Sequence, residues 1–113
     1  MNYNITTTDY FDRQVKQLSK KYHSLKNDLI TFQEDLLENP TMGEDLGNNT
    51  RKVRMAIASK NKGKSGGARI ITCHILIDVQ NTEIYLLTIY DKNEQKTISE
   101  KKIQQLKEDN GLA

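Results

Sequence analysis

The chain has little of what usually staples, anchors or decorates a small protein. Its single cysteine, Cys73, excludes an internal disulfide, and with His23 and His74 standing alone there is no ligand spacing of the kind zinc requires. Neither a metal nor another cofactor is expected. No stretch approaches the roughly 18 apolar residues of a membrane span, and the opening MNYNITTTDY has neither the basic start nor the apolar core of a secretory signal. The chain is therefore expected in the cytoplasm, without a membrane partner. Tryptophan is absent, and the five tyrosines and two phenylalanines fall largely within the helical and strand segments; exposed aromatic platforms for stacking bases are correspondingly scarce. In 113 residues there is room for one modest core. A single domain over residues 1–113 is expected to work through its surface or a shallow groove.

The most informative deficit is of acid. From Arg51 to Ile71 no Asp or Glu accompanies the seven basic side chains Arg51, Lys52, Arg54, Lys60, Lys62, Lys64 and Arg69, although the whole chain carries a net charge of only +2. Concentrated positive charge on a nearly neutral protein has the form of a polyanion footprint. The plain alternative is a solvated lysine loop.

What is present is periodic. Phe11, Val15, Leu18 and Tyr22 fall on one helical face, with Thr8 as N-cap, Asp9 and Asp12 at the start and Lys20 and Lys21 at the end. Leu25, Leu29, Phe32 and Leu36 repeat the pattern from near Ser24 until Asn39 and Pro40 stop it, so the two segments form a helical hairpin. After a connection from Met42 to Asn49 the period changes to two. Val53, Met55 and Ile57 alternate with Lys52, Arg54 and Ala56, placing the two basic side chains opposite the core. Ser59 to Gly67 reads as a basic loop, Ala68 to Ile77 and Glu83 to Tyr90 as two strands, Asn2 to Thr7 as an edge strand, and Thr97 as the N-cap of a last helix that offers Ile103 and Leu106 to the sheet and ends at Gly111. The order is β-α-α-β-β-β-α, an α+β domain with a helical hairpin on a mainly antiparallel sheet and a short C-terminal helix. Alternation alone leaves the side-chain direction of Arg69 open. Cys73, in the apolar run Ile70 to Ile77, is expected to be buried and inert.

Gly63-Lys64-Ser65 has the ending of a nucleotide-binding phosphate loop, but Ala58 occupies the position of the upstream glycine and a strand follows where a helix must begin. Gly66-Gly67 instead lets the loop enter the next strand tightly. Lys52, Arg54, Lys60, Lys62, Lys64 and Arg69 can converge on one phosphate-sized space if their strands form a hairpin. Tyr90, Lys92, Asn93 and Glu94 end the last strand near the same part of the sheet.

The spans Arg51 to Ser59 (RKVRMAIAS), Gly63 to Ile71 (GKSGGARII) and Tyr85 to Glu94 (YLLTIYDKNE), in this order behind a helical hairpin, resemble toxins of the RelE/ParE superfamily, most of all the HigB-type subgroup of the RelE/HigB branch. The likeness extends from about Phe11 to Leu106. It implies a small toxin of a type II toxin-antitoxin system, neutralised by a cognate antitoxin. For the RelE and HigB branches it also implies an mRNA interferase that binds the ribosome at its A site, against rRNA, and cuts the mRNA there. Residue by residue, Lys52, Arg54, Arg69 and Lys92 match the family's catalytic cations. Arg51, Lys60, Lys62, Lys64, Tyr90 and Asn93 are the candidates for RNA and ribosome binding. Asn93 departs from the family's usual arginine, and Ser99 stands nearest the position of the RelE tyrosine. RNA supplies its own nucleophile, so a metal-independent endoribonuclease needs a base for the 2′-hydroxyl, charge stabilisation on phosphate and a proton for the leaving oxygen. Lys52, crowded by cations, is the first candidate base, His74 and Glu94 are weaker ones, and Arg54 and Arg69 suit the phosphate oxygens. Two rival readings are a ParE-like poison of DNA gyrase without nuclease chemistry and a non-catalytic RNA-binding module.

Overall fold

The computed structural model describes residues 1–112. Its elements run β1 Asn2–Thr7, α1 Asp9–Lys21, α2 Leu25–Glu38, β2 Glu44–Gly47, β3 Thr50–Met55, a short 3-10 turn Ala58–Lys60, β4 Ala68–Asp78, β5 Asn81–Asp91 and α3 Glu100–Asp109. One five-stranded sheet has the order β1-β5-β4-β3-β2, antiparallel except where β1 runs parallel to β5 at the edge.

The helical hairpin, the meander and the edge strand stand where the sequence places them. Thr8 Oγ1 caps α1 by accepting from Phe11 N at 3.2 Å, and the acidic and basic ends of this helix suit its dipole. Two expectations are corrected. The connection from Met42 to Asn49 contains a strand, β2, which makes the order β-α-α-β-β-β-β-α. Glu-Asp-Leu-Gly has no alternation, follows Gly43 and ends in Gly47, so only pairing to β3 makes it extended. The last helix is capped by Ser99 rather than Thr97: Ser99 Oγ accepts from Lys102 N at 3.1 Å. Gly111, with φ +69°, follows it in the left-handed conformation that closes helices.

The sheet buries a face on each side. Phe11, Leu25, Leu29, Phe32 and Leu36 from the hairpin pack on Val53, Met55, Ile70, Ile84, Leu86 and Ile89. On the other side Ile71, Cys73, Leu87 and Tyr90 meet Ile103 and Leu106 of α3. A helix of only 10 residues cannot cover that face, and the strand ends nearest the basic loop are left as the floor of a groove.

One irregularity decides which side chains reach that floor. Ile71 pairs with Thr88 and Thr72 with Leu86, so Leu87 is an extra residue in β5. Such a bulge reverses the alternation beyond it. Ile84 and Leu86 face the hairpin before it, and Ile89 does so after it. Tyr90 therefore turns to the α3 side and Asp91 to the hairpin side.

Candidate functional site

Two cross-strand rows build the groove. Arg54, Arg69 and Tyr90 form one, and Glu44, Lys52, Ile71 and Thr88 form the next. Neighbouring strands lie about 4.8 Å apart, so the cations of β3 and β4 are side by side. Lys64 from the loop and Lys92 from beyond β5 complete a depression of about 480 Å³ lined by Lys52, Arg54, Lys64, Arg69, Lys92 and Glu44. Its entrance depends on close backbone approaches. A Cβ on Gly43 would sit 2.6 Å from Lys52 O, and one on Gly67 would sit 2.1 Å from Met55 O. The glycines let β2 and the basic loop lie against β3.

Arg69 faces the same side as Lys52 and Arg54, which alternation alone left open. It is only 6% exposed. Its Nη1 donates to Lys64 O and Ala68 O, both at 3.1 Å, and its Nη2 to Ser65 O at 3.1 Å. One guanidinium thus pins the end of the basic loop to its own strand. Burial first, and the neighbouring Arg54 charge second, pull it below its ordinary proton affinity. An arginine begins so high that it stays charged. Arg54 is exposed and Lys52 half-buried. Lys92 Nζ donates to Lys96 O at 3.2 Å, which steers its ammonium along the rim.

The other candidates are placed differently. Arg51 alternates to the opposite face, donates to Gly43 O at 3.3 Å and approaches Asp45 at 3.9 Å. Lys60 leaves the cationic cluster altogether: its Nζ donates to Asp91 Oδ1 at 2.7 Å, under the helical hairpin, with its side chain 6% exposed. That ion pair keeps the Lys60 ammonium away from the groove in which the other cations gather. Asp91 Oδ2 accepts from Tyr22 Oη at 2.5 Å, and Asn93 N donates to Oδ1 at 2.9 Å. Burial would raise this carboxyl, but the bonds from Lys60, Tyr22 and the Asn93 amide outweigh it and hold it below the usual carboxylate range. The loop is tied again where Ala58 N donates to Asp28 Oδ2 and Ser59 N to Ser24 Oγ.

Lys62 is exposed outside the groove, and Asn93, also exposed, does not line it. Tyr90 is 6% exposed and cannot serve as an open stacking platform. Its hydroxyl is buried and has no hydrogen-bond partner among the described residues. Burial chiefly pushes its proton affinity up, while the Arg69 charge pulls it down and Glu44 adds to the rise. His74 sits on the hairpin side, edge-on to Tyr3 with ring centroids 6.5 Å apart, and burial before the Arg51 charge lowers its proton affinity. A neutral imidazole off the groove is no base for chemistry within it. Glu94 pairs with Lys21, not with Lys92, and Ser99 is occupied as a helix cap. Cys73 is buried, and burial raises its thiol.

Sequence reasoning missed Glu44, which lines the groove directly across the strand pair from Lys52. The signal was present in Asn48-Asn49. Both adopt positive φ, 52° and 61°, as a two-residue hairpin turn requires, and such a pair before a strand calls for another strand upstream.

Among the described residues no group of three or more His, Cys, Asp or Glu side chains is gathered to hold a metal ion, and no helix is long and apolar enough to cross a membrane. The groove can hold a phosphate among guanidinium and ammonium groups, with one carboxylate on its wall.

These elements define a RelE-like α+β fold. The structure is similar to that of the E. coli toxin RelE, solved in the free state as a double arginine-to-alanine mutant, with a TM-score of 0.52 and 14% sequence identity over 85% of this chain and 90% of that one. No family model matches the sequence.

Proposed function

We propose that this protein is the toxin of a toxin-antitoxin pair, an endoribonuclease that cuts mRNA in the A site of the ribosome in the cytoplasm. The observation that carries this reading is the convergence of Lys52, Arg54, Lys64, Arg69 and Lys92 on one groove whose cations form no ion pairs among the described residues. The RelE-like fold supports it, as does the three-span resemblance to RelE/HigB toxins in the same strands. The cognate antitoxin, rRNA and mRNA are the partners it implies.

The chemistry follows from the arrangement. The 2′-oxygen attacks the neighbouring phosphorus, the bond from phosphorus to the 5′-oxygen breaks, and the products are a 2′,3′-cyclic phosphate and a 5′-hydroxyl. Glu44, across from Lys52, takes the 2′-proton in place of Lys52, the base expected from the sequence, because a carboxylate accepts a proton directly whereas an ammonium has only donors; Lys52 holds the phosphate. Arg54 and the buried Arg69 meet the charge that grows on the phosphoryl oxygens, already oriented before reaction. Lys92 on the rim gives the leaving oxygen its proton. No step calls for a metal. A shallow groove does not by itself hold RNA in line for attack, and positioning of this kind supplies about 7–11 kcal/mol. The ribosome is assigned that part.

The test is a pair of time courses on one labelled message, with and without an initiated ribosome complex. Cleavage only with the ribosome is the expected result. Equal cleavage in both would make the protein a free ribonuclease. No cleavage in either, with gyrase-dependent DNA damage in cells, would replace this reading by the ParE-like one.

A further inference from the structure

Next to the cationic groove, between the β2–β3 hairpin and α3, lies a second depression of about 520 Å³, inside the roughly 300–1,000 Å³ range of small-molecule sites. Lys52 stands between the two and lines both. Their linings differ. The groove has cations on nearly every side and no apolar floor of this kind, whereas this cleft adds Leu46, Ile98 and Ile103, with Gln104, to a rim that also carries Lys101 and Lys107. Its two walls are tied together behind, where Lys107 Nζ of α3 donates to Asn48 O in the hairpin turn at 2.8 Å.

We propose that this cleft is a nucleobase subsite, taking the base of the nucleotide whose phosphate lies in the cationic groove. The inference rests on the nuclease reading above and deepens it. A nucleotide joins a flat, weakly polar ring to an anionic phosphate, and this surface offers the matching pair side by side, joined at Lys52. Leu46, Ile98 and Ile103 cover the face of the ring, while Gln104 supplies both a donor and an acceptor for its edge. An acidic peptide would engage the lysines of both depressions but brings no flat ring to lie against Leu46, Ile98 and Ile103. The cleft therefore selects which nucleotide is presented for cleavage, and the groove holds any phosphate.

The test needs no ribosome. Adenosine 3′-monophosphate, ribose 5-phosphate and inorganic phosphate are titrated into the protein and into a Gln104→Trp variant, followed by amide chemical shifts. Gln104 is exposed, and the indole would fill the cleft without disturbing the core. The nucleotide is expected to bind about fivefold or more tighter than ribose 5-phosphate. It should shift Leu46, Ile98 and Ile103 together with Lys52 and Arg54, and Gln104→Trp should close the gap between the two ligands. Equal affinities with shifts confined to Lys52 and Arg54 would overturn the subsite alone and leave the phosphate groove standing. Tighter nucleotide binding that Gln104→Trp does not touch would also overturn it. If none of the three probes moves Lys52 or Arg54, the groove fails as an anion site and the subsite falls with it.

Discussion

Lys60 and Lys52 belong to the same acid-free segment and end on opposite faces of the sheet in opposite circumstances. Under the helical hairpin, Lys60 meets Asp91, whose side chain is fully buried, and Tyr22 donates to the same carboxylate. On the far face Lys52, Arg54 and Lys64 line an open groove with Arg69 below and one carboxylate, Glu44, on the wall. A buried charge is tolerated only when paired and hydrogen-bonded, so the first group is structural. Cations held close together without ion pairs are costly for the fold and useful to an anion. The difference between the two faces separates the basic residues that hold the protein together from those that the proposed reaction uses.

The largest effect is expected where the structural face is broken. Asp91→Ala leaves Lys60 buried without its partner and should cost about 3–5 kcal/mol, read as a fall in urea midpoint at unchanged slope. The pH dependence has a definite sign. Because the folded carboxyl is held below its unfolded value, its stabilisation is fully present above about pH 4 and is lost as the pH falls through the folded value. Asp91→Asn should lack this share of the acid-side decline, and an unchanged acid-side stability curve would show that the ion pair contributes nothing.

On the groove face the order of effects reverses. Arg54→Ala removes an exposed cation, so stability should stay within about 0.5 kcal/mol. Cleavage on ribosomes should fall about 10²–10³-fold. A full loss of cleavage accompanied by unfolding would move Arg54 to the structural group.

Arg69 tests the comparison because it belongs to both sides. From the sequence alone it reads as a cation that can be removed without harm to the fold. Its three bonds to loop carbonyls change that expectation. Arg69→Ala should abolish growth inhibition and also cost about 1–3 kcal/mol, since those carbonyls lose their donor. Arg69→Lys keeps the charge but loses the fork, and its activity beside its melting curve separates the two roles. The smallest effect is expected from Arg51→Ala, whose one carboxylate contact among the described residues is a surface approach to Asp45 at 3.9 Å. Stability should change by about 0–1 kcal/mol, and cleavage should hold within a few-fold. A loss as large as that of Arg54→Ala would mean that RNA touches both faces.

Much of this division was written locally. The i, i+4, i+7 spacing of Phe11, Val15 and Leu18, the cap at Thr8 and the alternation of Val53 and Met55 with Lys52 and Arg54 are short-range patterns, and the sequence determined by itself the helical hairpin, the meander and the side on which Lys52 and Arg54 emerge. It could not determine β2, since Glu44–Gly47 has no period of its own and becomes a strand through its bonds to β3. Glu44 entered the groove only with that pairing. The fate of the carboxylate at the end of β5 was likewise nonlocal. Strict alternation from Tyr85 and Leu87 puts Asp91 on the groove face, among the cations. The bulge at Leu87 turns it under the hairpin, where it takes Lys60 with it. A bulge is a mismatch between two strands and exists only once they pair. Tertiary structure therefore decided which of the basic residues remain free, because that depends on which partner each charge can reach across the sheet.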